Sequence, residues 1–193
     1  MPLSPTLMYR QASFKGRIGA ARAEITPPAG IYARNWGAAQ HDRAEGVHRP
    51  LCLTVLAFRD EANLEPPLLL IGGDLMGWPR FEDEPEFSAE LKERFGIGEE
   101  RMIFQAAHTH AGPSLSLERA HLPGGELIPA YKRQVQQAVL ETIAKALCDC
   151  EPAVLTWHHG RCGLAQNRDL PDPAPGRERV VCGYHPDGNP DDY

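Results

Sequence analysis

Two short apolar runs flank one amphipathic stretch between Pro66 and His108, and that alternation constrains the fold more than any other feature of the chain. PLLLIGGD has the length of a buried strand and ends at Asp74, and RMIFQAAH resumes the same character up to His108. Between them Pro85 stands where a first helical turn accepts proline. Phe87, Leu91 and Phe95 recur every four residues, and Gly96 is placed to stop the helix. Strand, helix, strand in that order is a βαβ unit with parallel strands and a right-handed crossover. Parallel strands bring Asp74 and His108 to one carboxyl edge, where open α/β sheets bind ligands. The expected fold class is therefore α/β, a mixed sheet with a βαβ unit flanked by helices.

The remaining segments fit around that unit. GRIGAARAEITPPAG (Gly16–Gly30) reads as a strand followed by a Pro/Pro/Gly turn, and LCLTVLAFRD (Leu51–Asp60) as a buried strand. The intervening residues 31–50, with Asn35, Gly37, Asp42 and Gly46 among them, form a long loop of the kind that lines sites. Ala130–Leu147 is an amphipathic helix with Val135, Val139, Ile143 and Leu147 on one stripe. PAVLTWHH (Pro152–His159) and RERVVCGY (Arg177–Tyr184) are strand candidates separated by the proline-rich loop LPDPAPG. Asp187-Gly188 reads as a hairpin tip, which leaves the strand before it without a partner within the chain. The expected organisation is an N-terminal tail over residues 1–15 and one partial domain over 16–193.

Charge and composition exclude several classes of function. Acidic residues outnumber basic ones 26 to 20, and no basic run is available to neutralise a phosphate backbone, so no nucleic-acid partner is expected. The longest apolar runs fall short of the roughly 20 residues of a membrane helix, so no transmembrane segment is expected either. The first residues hold no continuous apolar stretch like that of a secretory signal, and a cytoplasmic location is the default expectation. Five cysteines without a CxxC pair argue against a disulfide framework or a zinc ribbon. Cys148 and Cys150 fall at a helix end, where residues two apart diverge, and read as ordinary thiols.

The segment QAAHTHAGPS places His108 and His110 two residues apart at the end of the second apolar run. If the strand continues through them, both imidazoles project to one side and can share a metal ion. The competing reading is a pair of hydrogen-bonded surface histidines in a turn. Zinc needs three or four ligands, and Gly112 stands where an HxHxD motif has its aspartate. Asp74 is a candidate ligand, a helix N-terminal carboxylate or, ranked first, a partner that orients a histidine. Arg168 is a fixed cation on a loop, able to bind a carboxylate or polarise an amide oxygen, with a solvated arginine as the alternative. His158 and His159 are adjacent on a probable strand and face opposite ways. His41, His48, His121 and His185 lie in loops and turns, where exposure is the ordinary expectation.

Taken in order, GRIGAARAEITPPAG, GVHRPLCLTVLAF, LLLIGGDLMG and RMIFQAAHTHAGPS, with a weaker QNR at Gln166–Arg168, resemble the neutral/alkaline non-lysosomal ceramidase family in the N-terminal part of its catalytic domain. The resemblance implies an α/β catalytic domain holding one zinc ion, Zn2+, and hydrolysis of an N-acyl amide, with ceramide the named substrate. Residue by residue, it makes His108 a zinc ligand, His110 a second histidine beside the metal needed for turnover, and Arg168 part of the substrate site. The family's other ligands, a histidine, a glutamate and a tyrosine, come from later in the chain than anything matched here. This sequence is accordingly expected to be an N-terminal fragment, inactive by itself. Arg49, where the family commonly has an acid, and Asp169, where ceramidases tend to have serine, bear on ceramide specificity. The expected function is a zinc-dependent hydrolase of a small-molecule or lipid N-acyl substrate. The alternatives are a non-catalytic metal-binding or scaffold module of the same fold and a hydrolase of small soluble amides or esters. An unrelated HxH amidohydrolase barrel fits less well, since at least two strands precede the pair. Nothing in the sequence sets an oligomeric state.

Overall fold

Burial at every second position decides how the strands lie: β2 (Cys52–Arg59) and β3 (Leu68–Gly73) follow it, while β1 (Phe14–Glu24) changes phase between Gly16 and Gly19. Leu53, Val55 and Ala57 of β2 and Leu69 and Ile71 of β3 are completely buried on one face. The computed structural model describes residues 13–37, 39–62, 64–77, 84–157, 160, 169–172 and 174–182. With β4 (Met102–Ala106) and β5 (Glu151–Leu155), the strands form a five-stranded sheet in the order β4-β3-β2-β1-β5. β3 and β4 run parallel, from Leu69 opposite Met102 to Gly73 opposite Ala106, and the other neighbours are antiparallel. The expected mixed sheet and its βαβ unit are both present.

The crossover helix α1 (Pro85–Phe95) begins on its proline and ends at Gly96, whose φ of 67° is the left-handed conformation that closes a helix. The Gly96 N–H donates to the Lys92 carbonyl. Phe87 and Leu91 enter the core from one side of α1. Just before it, the Glu84 carboxylate pairs with Lys132 and accepts from Gln136 Nε2 at 3.0 Å, which ties the start of α1 to the long helix α2 (Ile128–Cys148). That helix starts two residues earlier than its stripe predicts, because Pro129 is compatible with a first turn. Val135, Val139 and Ile143 are completely buried, each contributing about 1.5–3 kcal/mol of hydrophobic burial. α2 lies very close to β1 because Gly19 has no side chain there: a Cβ would collide with the Ala146 carbonyl. Among the described residues no helix is long and apolar enough to cross a membrane.

Several boundaries differ from expectation. β1 begins at Phe14, ahead of the expected tail boundary at residue 15, because Phe14 and Lys15 pair with Leu155 and Val154 of β5. β5 stops at Leu155, and His158 and His159 lie outside the described residues. The chain divides into two units, residues 12–155 and a second formed by residues 1–11 and 156–193. In the second unit, β6 (Asp169–Pro171) pairs antiparallel with β7 (Val180–Cys182), so the strand expected to lack a partner has one on its N-terminal side. The proline-rich segment is the connection of that hairpin. Asp172 holds it closed, its carboxylate accepting from the Ala174 N–H at 3.0 Å and from Arg179 Nε at 2.6 Å. The Ala174 N–H, Arg179 and Arg177 together hold this carboxyl below the usual range. The Asp187-Gly188 tip lies outside the described residues.

Tyr131 of α2 is 1% exposed and donates its hydroxyl to the Ile25 carbonyl at 2.7 Å. Burial pushes its phenol well above the ordinary range. The folded chain thus keeps the proton that the unfolded chain releases near about pH 10. Stability from this group is complete below that pH and falls as pH rises past it. Tyr131→Phe should cost about 1 kcal/mol at neutral pH and flatten the alkaline loss. Urea unfolding at neutral and alkaline pH measures both effects, and equal alkaline slopes in the two proteins would count against this role.

Candidate functional site

The parallel pairing of β3 and β4 does not stop at the strand ends. The Ala107 N–H donates to the Gly73 carbonyl at 2.8 Å and the Thr109 N–H to the Leu75 carbonyl at 3.0 Å. Leu75, 2% exposed, roots this extension in the core. Asp74 joins it to β2: its N–H donates to the Cys52 carbonyl, and its Oδ2 accepts from the Cys52 N–H, both at 2.9 Å. Asp74 and the histidines therefore share the carboxyl edge, as the βαβ reading requires.

His108 leaves the extended path with φ 56°, the one positive value outside glycine among the described residues. That turn directs its ring so that Nδ1 lies 3.1 Å from the Met76 carbonyl. His110 Nδ1 lies 2.6 Å from the Asn35 carbonyl. A carbonyl oxygen only accepts, so each ring donates from Nδ1 and keeps its Nε2 lone pair for something else. The ring centroids are 4.6 Å apart, edge to face. The pair thus meets as the sequence anticipates, but through a left-handed turn rather than through strand alternation. Trp36 packs against the outer side of His110 with ring centroids 5.1 Å apart.

The long loop that carries Asn35 and Trp36 is closed on itself. Tyr32 bridges Arg43, the Ala33 N–H donates to the Asp42 carbonyl at 2.8 Å, and Ile31 is completely buried. The following AGPS turn is equally fixed: Gly112 and Pro113 are buried, and Leu115 is 4% exposed. Sequence reasoning marked this loop as a candidate lining but did not single out Asn35, Trp36 or Met76. The neighbouring Asn35-Trp36 in a long loop is the signal that could have done so, whereas Met76 acts through its main chain and leaves no trace in residue type.

The two free Nε2 atoms are donors of the kind zinc takes, and both are fixed by main-chain partners, as metal-binding histidines usually are. Among the described residues there is no cluster of three or more histidine, cysteine, aspartate or glutamate side chains able to hold a metal, so the donor chemistry fits and the donor count does not reach three. Asp74 bonds Cys52 through its N–H and its Oδ2, whereas the described hydrogen bonds of the two histidine rings go to Met76 and Asn35. His41, His48 and His121 are exposed. Cys148 is exposed and Cys150 buried, so the two thiols diverge. Arg168 and His185 lie outside the described residues.

These features define a mixed α/β domain with a histidine pair at the carboxyl end of a parallel strand pair. No protein-family model matches the chain. Its sequence is 27% identical over 157 residues to the neutral ceramidase of Mycobacterium tuberculosis (strain ATCC 25618 / H37Rv), covering 78% of this chain and 24% of that protein. The crystal structure of neutral ceramidase from Pseudomonas aeruginosa shares the fold with a TM-score of 0.55 at 19% identity, covering 74% of this chain and 22% of that one. A structure of ceramidase complexed with C2 gives 0.56 at the same identity and coverage. The chain is neutral ceramidase-like in sequence and fold, and it spans about a quarter of the length of the curated relative it matches.

The positive φ of His108 has a testable consequence. Glycine takes that conformation freely, whereas alanine does not. His108→Gly should therefore unfold at higher urea than His108→Ala, by about 0.5–1 kcal/mol, although it removes more of the side chain. The reverse order in urea melts would show that the turn is not left-handed.

Proposed function

We propose that this chain forms part of a zinc-dependent hydrolase that cleaves an N-acyl amide bond, as the ceramidases it resembles do by name. The observation that carries the reading is the histidine pair itself: two neighbouring imidazoles, each turned by a main-chain carbonyl so that Nε2 stays available, at the ligand-binding edge of the sheet. His108 would hold the metal through Nε2. Bound zinc supplies a water of lowered pKa, near about 7, and polarisation of the amide carbonyl.

The chain's own residues do the rest. Met76 keeps the His108 ring in the Nδ1–H form, and Asp74 holds the strand end from which Met76 projects. His110 presents its unprotonated Nε2 to the reacting group, takes up there a proton from the attacking water as general base, and then passes that proton to the leaving amine. Trp36 shields one side of that ring from water. Arg168 is assigned to substrate positioning on the QNR resemblance. The substrate class is an N-acyl amide, lipid or small molecule, with ceramide as the reference compound.

Chelation of zinc from the protein as its natural host makes it should abolish amide cleavage, and added zinc should restore it. Turnover untouched by chelation would sink the reading. His110→Ala should lower kcat by about 10²–10⁴. Assaying ceramide beside short N-acyl amides then sets the substrate, and a preference for the short compounds would assign a soluble substrate in place of the lipid.

A further inference from the structure

Asn35 makes three contacts to groups far from it in sequence. Its main-chain carbonyl accepts from His110 Nδ1 at 2.6 Å. Its Nδ2 donates to the Gly112 carbonyl at 2.5 Å. Its Oδ1 accepts from Arg119 Nη1 at 3.2 Å. The same Arg119 Nη1 donates to the Arg34 carbonyl at 2.7 Å, and the guanidinium lies over the Tyr32 ring, 5.7 Å from its centroid. The loop and the histidine turn, over seventy positions apart in the chain, are thus bolted together at His110 and at Gly112.

The chemistry of the bolt is specific to asparagine. The Gly112 carbonyl needs a donor and the Arg119 guanidinium needs an acceptor, so only one orientation of the amide satisfies both. An aspartate at this position would set a carboxylate oxygen against the Gly112 carbonyl, and an aliphatic residue would take the donor from that carbonyl and leave Arg119 Nη1 only the Arg34 carbonyl. Fixing the side chain at two points fixes the main-chain carbonyl of the same residue. That carbonyl in turn selects which nitrogen of His110 carries the proton.

We propose that Asn35, braced by Arg119, is the positioning residue of His110: it holds the ring in the Nδ1–H form with Nε2 directed to the reacting group. The catalytic consequence rests on the function proposed above, while the tautomer does not. Outer partners of this kind change activity or metal affinity by about 10–100-fold when removed.

The test is nitrogen NMR of the histidine rings in the protein as its natural host makes it, in mildly alkaline buffer, beside steady-state kinetics on an N-acyl amide. In the parent protein both His108 and His110 should be Nδ1–H. In Asn35→Ala, His110 should move toward the Nε2–H form, while His108, held by Met76, keeps its signature. In the same variant kcat should fall by about tenfold with KM little changed. Should Asn35→Ala fail to fold, Arg119→Met removes the brace alone and should give the same shift confined to His110. A His110 tautomer unchanged in the folded variant, or both histidines moving together, overturns the proposal. A parent protein without amide hydrolase activity would remove the function proposed above, and the tautomer readout would still decide the role of Asn35.

Discussion

Everything at the candidate site depends on the parallel registration of β3 with β4. It sets Gly73 beside Ala106, and two further hydrogen bonds carry the pairing past the strand ends to Thr109. Parallel strands cannot be joined by a short turn, so the intervening chain has to leave the sheet and return, and α1 is that excursion. Gly96 closes α1, the Glu84–Lys132 pair ties its start to α2, and α2 closes on β1 over Gly19. A shift of one residue in the β3–β4 register would exchange the faces of Leu69 and Leu70 and move Met76 away from His108. Core packing and site geometry are therefore one constraint.

Much of this was legible in the sequence. The continuous apolar runs of β2 and β3 and the period four of α1 and α2 each reflect burial, and such patterns survive in residue type. The common edge of Asp74 and His108 followed from topology alone. What escaped was local and made of backbone. The positive φ of His108 is not written in the word histidine, and the ring partners, the Met76 carbonyl for His108 and the Asn35 carbonyl for His110, are chemically the same at every residue. Asp74 was placed at the right edge, but its Oδ2 bond to the Cys52 N–H depends on the register of β2, which no local pattern reveals. The short hairpin of β6 and β7 was missed on its first side because Pro171 and Pro175 read as breakers, although proline is tolerated in a two-stranded ribbon whose outer edge is free.

The site also shows a division of labour between segments. The sheet edge supplies the ring that is held by its own neighbouring strand, His108 on Met76. The loop between β1 and β2 supplies the grip on the other ring, His110 on Asn35, and the tryptophan that covers it. The loop can do this because its base is locked by the buried Ile31 and by the Tyr32–Arg43 bridge. A long connection thus behaves as a rigid arm, in keeping with loops that present functional groups from a fixed scaffold.

The left-handed turn at residue 108 finally narrows the evolutionary routes open to that position. Outside glycine, the residues that enter this conformation with least difficulty are asparagine, aspartate and histidine itself. Two of those three side chains, aspartate and histidine, are ordinary metal ligands. Under the function proposed above, a lineage exchanging histidine for aspartate here would keep its turn and trade a borderline nitrogen donor for a hard oxygen, which favours cations such as manganese or magnesium. The backbone at this point thus narrows the side chains open to the position before any chemistry they carry comes into play.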